Sequence, residues 1–131
     1  ELHDDARRLQ RGVHNGAGLV AALAGLRIVD ELGPERIWEH TRVLGRQLMV
    51  GLEELGLAVL TPKNDNERAG IVTVSVKEAA DFNGALTKLG ILAGQYLPGQ
   101  IRMDVALFHN EEDIERTLAT FSKVAASRGT A

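Results

Sequence analysis

At 131 residues, 44% of them apolar and 25% charged, the chain has the size and composition of one soluble globular domain or of a piece of a larger one. Its formal charge of -3 and pI near 5.8 argue against holding nucleic acid by bulk electrostatics. The absence of Cys removes disulfides, thiolate metal sites and a cysteine nucleophile. Residues 1–11 are charged and hold no apolar leader core, and the most apolar stretch, Leu19 to Leu26, is too short to span a bilayer. A cytoplasmic protein is the expectation, and a start at Glu1-Leu2-His3-Asp4-Asp5 reads as the middle of something longer.

Residues 1–16 are polar, turn Gly-rich toward their end, and read as a loop. Asn15 is a plausible N-cap for a helix over 17–32, where Leu19, Leu23, Leu26 and Val29 recur at helical spacing. Gly33-Pro34 ends it and opens a second helix over 35–55, whose apolar face carries Ile37, Val43 or Leu44, Leu48, Leu52 and Leu55. The period then changes. Leu57 to Leu60 is a short apolar strand and 62–66 a turn. Ile71 to Val76 alternates as a β-branched strand. A helix is expected over 79–89, a short strand over 91–93, a Gly- and Pro-bearing loop over 94–100 and a strand over 101–107. Asn110 and Asp113 make a near capping box for a last helix that carries Ile114, Leu118, Phe121 and Val124 and frays from Ser127. The order is two long helices, then β-β-α-β-β-α. This predicts an α+β fold in which a small, mainly antiparallel sheet is covered on one face by helices. The chain divides into 1–56, loop and long helices, and 57–131, the small α+β part.

Two places could carry chemistry. The run Arg7-Arg8-Leu9-Gln10-Arg11-Gly12-Val13-His14-Asn15-Gly16 puts small residues and arginines ahead of a helix N-terminus, which suits a phosphate or carboxylate. The plainer reading, and the favoured one on sequence alone, is a Gly-rich connector with surface arginines. Arg102 interrupts an apolar strand between Ile101 and Met103. It either sits on the wet face of a half-buried strand or aims a guanidinium fork at a carboxylate. Among His3, His14, His40 and His109 no pair has metal-ligand spacing, so no metal is expected. His40 reads as a surface or boundary residue and His109 as a cap or packing group. Tyr96 could line a pocket near Arg102, although packing on the core is the plainer reading.

Taken together, four blocks resemble class V aminotransferases, pyridoxal-phosphate (PLP) enzymes of fold type I. The family's Arg-Phe-Glu-x-Gly-Thr-Pro-Asn loop resembles Arg8-Leu9-Gln10-Arg11-Gly12-Val13-His14-Asn15. Its Gly-x-Glu-x-Ile-x-x-His helix resembles Gly33-Pro34-Glu35-Arg36-Ile37-Trp38-Glu39-His40. Its Arg-Ala-Gly-Ile-Val strand is matched by Arg68-Ala69-Gly70-Ile71-Val72, and its final Arg-x-Ser-x-x-x-Tyr-Asn-Thr-x-Glu-Asp-Ile by Arg102 to Ile114.

The resemblance implies a C-terminal part of such an enzyme. Gly12, Val13, His14 and Asn15 would meet the PLP phosphate, which in the family typically belongs to the partner subunit of a homodimer. Val13 replaces a hydroxyl-bearing Thr there. Arg102 would bind the carboxylate of a small amino-acid substrate. The lysine that holds PLP lies ahead of the first block in the family. Lys63, Lys77, Lys88 and Lys123 all read as solvated, so no catalytic residue is assigned and the chain alone is expected not to turn over. Dimer contacts are expected through a large domain and helices 17–55. Cysteine desulfurases of the family carry a Cys on the loop before the Arg. Here that loop, Ala93 to Gln100, has none. The alternative to an enzyme part is a stand-alone α+β ligand-binding or regulatory module.

Overall fold

The structure is a computed structural model that describes residues 4–9, 12 and 15–128. It divides into two compact units, Glu1–Pro34 and Glu35–Ala131.

In the first unit a turn of 3-10 helix, Ala6–Leu9, precedes α1, Gly16–Leu32. The Asn15 side chain accepts the Gly18 N–H at 2.9 Å, which satisfies one of the donors a helix start leaves open. Gly33, at φ 84°, returns its N–H to the Val29 carbonyl and closes the helix, a conformation that a side chain would resist. No residue of α1 is buried. Leu19, Val20, Leu23, Leu26, Ile28 and Leu32 are all exposed.

The second unit opens with α2, Pro34–Glu54, where proline's fixed φ suits the first helical position. Strand β1, Ala58–Val59, pairs antiparallel with β2, Ile71–Ser75, and β2 with β3, Gln100–Asp104, in the order β1-β2-β3. Helix α3, Ala79–Lys88, and α4, Glu111–Arg128, complete the unit. The α+β layer expected from the periodicity is therefore present, with two corrections. Residues 91–93 form no strand. Ile91 points into the core, and only Gly94 makes a bridge, to Arg102. A short apolar run reports burial, and here the burial comes without pairing. The last strand also stops at Asp104, before the expected 107.

Alternation decides the two faces of the sheet. Val72 and Val74 on β2 and their register partners Met103 and Ile101 on β3 are buried. They meet Leu44, Leu48 and Leu52 of α2, Phe82 and Leu86 of α3, and Ile114, Phe121 and Val124 of α4. Helix α2 thus shares one core with the elements after residue 56. Each fully buried Leu or Phe contributes roughly 1.5–3 kcal/mol. Among the described residues no helix is long and apolar enough to cross a membrane.

His40 ties α2 to the corner between β3 and α4, its Nε2 donating to the His109 carbonyl at 2.8 Å. His109 Nδ1 accepts the Ala106 N–H at 2.9 Å, so its own proton sits on Nε2. Asn110 and Asp113 exchange backbone-to-side-chain hydrogen bonds at 3.1 Å, which is the capping box read from their spacing.

Candidate functional site

The other face of the sheet carries Ile71, Thr73 and Ser75 opposite Asp104, Arg102 and Gln100, and no helix of the unit covers it. Arg102 lies at the middle of this open face, directly across from Thr73. On its far side its backbone exchanges two hydrogen bonds with Gly94, at 2.7 and 2.8 Å.

Arg102 is half-buried, and its Nε is sealed from solvent with no hydrogen-bond partner. No carboxylate pairs with it among the described residues, where Arg42, Arg68 and Arg128, the other arginines not fully exposed, each have one. A sheltered cation with an unmet donor is costly unless an anion completes it. The Tyr96 ring lies over this guanidinium, 4.5 Å from centroid to Cζ. Tyr96 therefore does not pack down on the core. It is 74% exposed and covers Arg102, which has no carboxylate partner among the described residues. The sequence had Tyr96 six positions before Arg102, but only the bridge at Gly94 shows that the loop folds back onto that strand.

A second charged cluster was not legible beforehand. The Asp65 carboxylate accepts from Arg42 Nη1 at 2.7 Å and also from Arg46 and Arg68. The hydrogen bond from Arg42 is the main cause that holds this carboxyl below its usual range, with Arg68 and Arg46 adding to it and partial desolvation opposing. The Arg68 side chain is only 2% exposed. It crosses α2 at Gly45, where a Cβ would stand 3.2 Å from its Nη1. This cluster joins α2 to the turn before β2, and Arg68 Nε and Nη1 stay buried without a hydrogen-bond partner.

The other candidate site lies in the first compact unit. Gly12 is exposed at φ 71°, with open space where a side chain would stand. Asn15 spends its side-chain oxygen on capping α1 and its amide N–H₂ has no acceptor among the described residues, while Gly16 and Ala17 have N–H groups without an intrahelical acceptor. Arg7 is already paired with Asp5 at 2.8 Å, and Arg8 is exposed. Val13 and His14 lie outside the described residues. The donors present suit an anion, and PLP presents one in its phosphate.

The sequence pattern of the family described as "Aminotransferase class-V" matches residues 1–116. A probable cysteine desulfurase of Pyrococcus abyssi is 23% identical, over 97% of this chain and 35% of its own length. An uncharacterized aminotransferase of Schizosaccharomyces pombe is 30% identical, over 75% of this chain and 24% of its own. Among solved structures, the apo cysteine desulfurase from Thermococcus onnurineus NA1 superposes with a TM-score of 0.87 at 21% identity, covering 97% of this chain and 35% of that one. Sphingomonas wittichii serine palmitoyltransferase gives 0.74 at 20% identity, over 94% and 32%. The chain thus spans about a third or less of the relatives it matches, and its fold is that of a small domain of fold type I enzymes. With its family pattern running across nearly all of its described residues, the chain belongs to the class V aminotransferases, a PLP-dependent family.

Proposed function

We propose that this chain supplies the substrate-carboxylate site, and part of the PLP-phosphate site, of a cytoplasmic homodimeric enzyme that acts on a small amino acid. The observation that carries the reading is Arg102: half-buried, its Nε unsatisfied, without a carboxylate partner among the described residues, at the centre of the uncovered sheet face. A guanidinium can offer a carboxylate two parallel N–H donors, which fixes the orientation of an amino acid as well as its charge. Orientation of this kind decides which bond at the substrate's Cα faces the reacting group.

PLP, when bound, supplies an electron sink for bonds at that Cα. Gly12 and Asn15, with Val13 and His14 beside them, are the residues proposed to meet its phosphate. Gly12 allows close backbone approach, and Asn15 holds the start of α1 in place through its bond to Gly18. The loop ahead of Arg102 carries Tyr96 and Leu97 and no Cys, so a persulfide route through this loop is not part of the proposal.

The chain is proposed to be inactive by itself. A lysine that binds PLP covalently needs a sheltered site that depresses its pKa. Lys63, Lys77, Lys88 and Lys123 are all exposed, and Lys63 is already paired with Glu53 at 2.9 Å. Treating the purified chain with PLP and borohydride and weighing it by mass spectrometry tests this. The expected result is no stoichiometric, site-specific adduct. A single lysine modified to completion would overturn the proposal in favour of a self-sufficient PLP site.

A further inference from the structure

We infer that Tyr96 is a positioning residue for Arg102, holding the guanidinium plane in the attitude that presents its N–H edge to a carboxylate. The inference rests on the proposed role of Arg102 and adds a residue to it.

The loop that carries Tyr96 is pinned at both ends. At one end Gly94 exchanges backbone hydrogen bonds with Arg102 at 2.7 and 2.8 Å. At the other, Gly99, at φ 74°, accepts the Val76 N–H at 2.9 Å, and Gln100 N–H returns to the Leu97 carbonyl at 3.2 Å. Tyr96 therefore sits on a short arch anchored to β3 and to the end of β2. Tyr96 is 74% exposed and is not part of the core cluster, so burial does not explain where it lies. What it does contact is the Arg102 guanidinium, at 4.5 Å.

A ring over the guanidinium Cζ attracts the charge without taking up any of its N–H donors. A carboxylate in the same place would consume those donors, and an aliphatic side chain would give less attraction to the charge. An aromatic ring on the face restrains rotation about the last side-chain bonds while the binding edge stays open. Arg102 loses less rotamer freedom when a ligand arrives, so affinity rises without any direct contact between Tyr96 and the carboxylate.

The test uses the full chain, acetate as the carboxylate probe, and NMR of the Arg102 side chain in the native protein, Tyr96→Phe and Tyr96→Ala. In the free native chain the Arg102 methylene protons should be shifted upfield by the ring. Phe should retain that shift and Ala should lose it. Acetate should move the Arg102 Nε–H resonance in a saturable way. Affinity should be at the native value for Phe and about two- to five-fold weaker for Ala, the range expected for an exposed cation–π contact. Equal acetate affinity in all three proteins, or no ring shift in the native one, overturns the role of Tyr96 and leaves the carboxylate reading standing. An Arg102 that ignores acetate in the native chain overturns both.

Discussion

Gly70 and Val105 lie backbone against backbone. The Val105 N–H donates to the Gly70 carbonyl at 2.8 Å, and a Cβ added at Gly70 would stand 2.3 Å from the Val105 carbonyl oxygen. This contact closes the end of the β2–β3 ladder beyond Ile71 and Asp104, and it gives the glycine of the Arg68-Ala69-Gly70-Ile71-Val72 block a steric reason. Backbone cannot yield as a flexible side chain can, so Gly70→Ala should cost about 1–3 kcal/mol, as overpacking does. Urea titration would measure the loss, and faster amide exchange at Val105 would place it. An unchanged midpoint would show that the strands separate there at little cost.

Asp65 should make stability pH-dependent in acid. Its carboxyl is held below the usual range chiefly by the Arg42 hydrogen bond. A carboxyl whose folded pKa is depressed binds fewer protons folded than unfolded. Its contribution is therefore present above the unfolded value, near 4, and lost as pH falls through the folded one. Asp65→Asn should be less stable than native at neutral pH, with the gap narrowing below about pH 4. Thermal melts of both proteins across that range provide the check. A gap that stays constant into acid would mean the three guanidinium groups gain little from this charge.

Helix α1 presents Leu19, Leu23 and Leu26 to solvent on a helix with no buried residue. Apolar stripes of this kind associate, so the chain is expected to self-associate through the segment 17–55. Light scattering should report a mass above the monomer at micromolar concentration. Replacing Leu19, Leu23 and Leu26 together with Lys should bring it down to the monomer while the helical circular dichroism of the second unit persists. A monodisperse monomer for the native chain would contradict the expected contact.

Helix ends were legible because their chemistry is local: Asn15 caps Gly18, Gly33 closes onto Val29, and Asn110 and Asp113 cap each other. The faces of β2 and β3 were legible because alternation assigns Val72, Val74, Ile101 and Met103 to one side. The 91–93 segment was not, because Ile91 is apolar for the sake of the core and periodicity does not report whether a partner strand exists. Arg102 could be assigned from sequence to the wet face. That its Nε is sealed and its guanidinium lies against Tyr96 depends on a loop pinned by backbone bonds of Gly94 to Arg102 and of Val76 to Gly99, which residue periodicity does not report. The Asp65 cluster was hidden for the same reason, since Arg42 and Arg46 reach it from α2.

The central claim is that Arg102 receives a carboxylate on the open sheet face. Acetate titration of the native chain and of Arg102→Gln, followed through the backbone amides of Gly94 and Thr73, tests it most directly. Glutamine keeps the strand and a polar side chain but removes the charge and the paired donors. A charge-assisted hydrogen bond is worth about 1.5–3 kcal/mol, so affinity should fall by at least about ten-fold. Arg102→Gln binding acetate as tightly as the native chain would contradict the account.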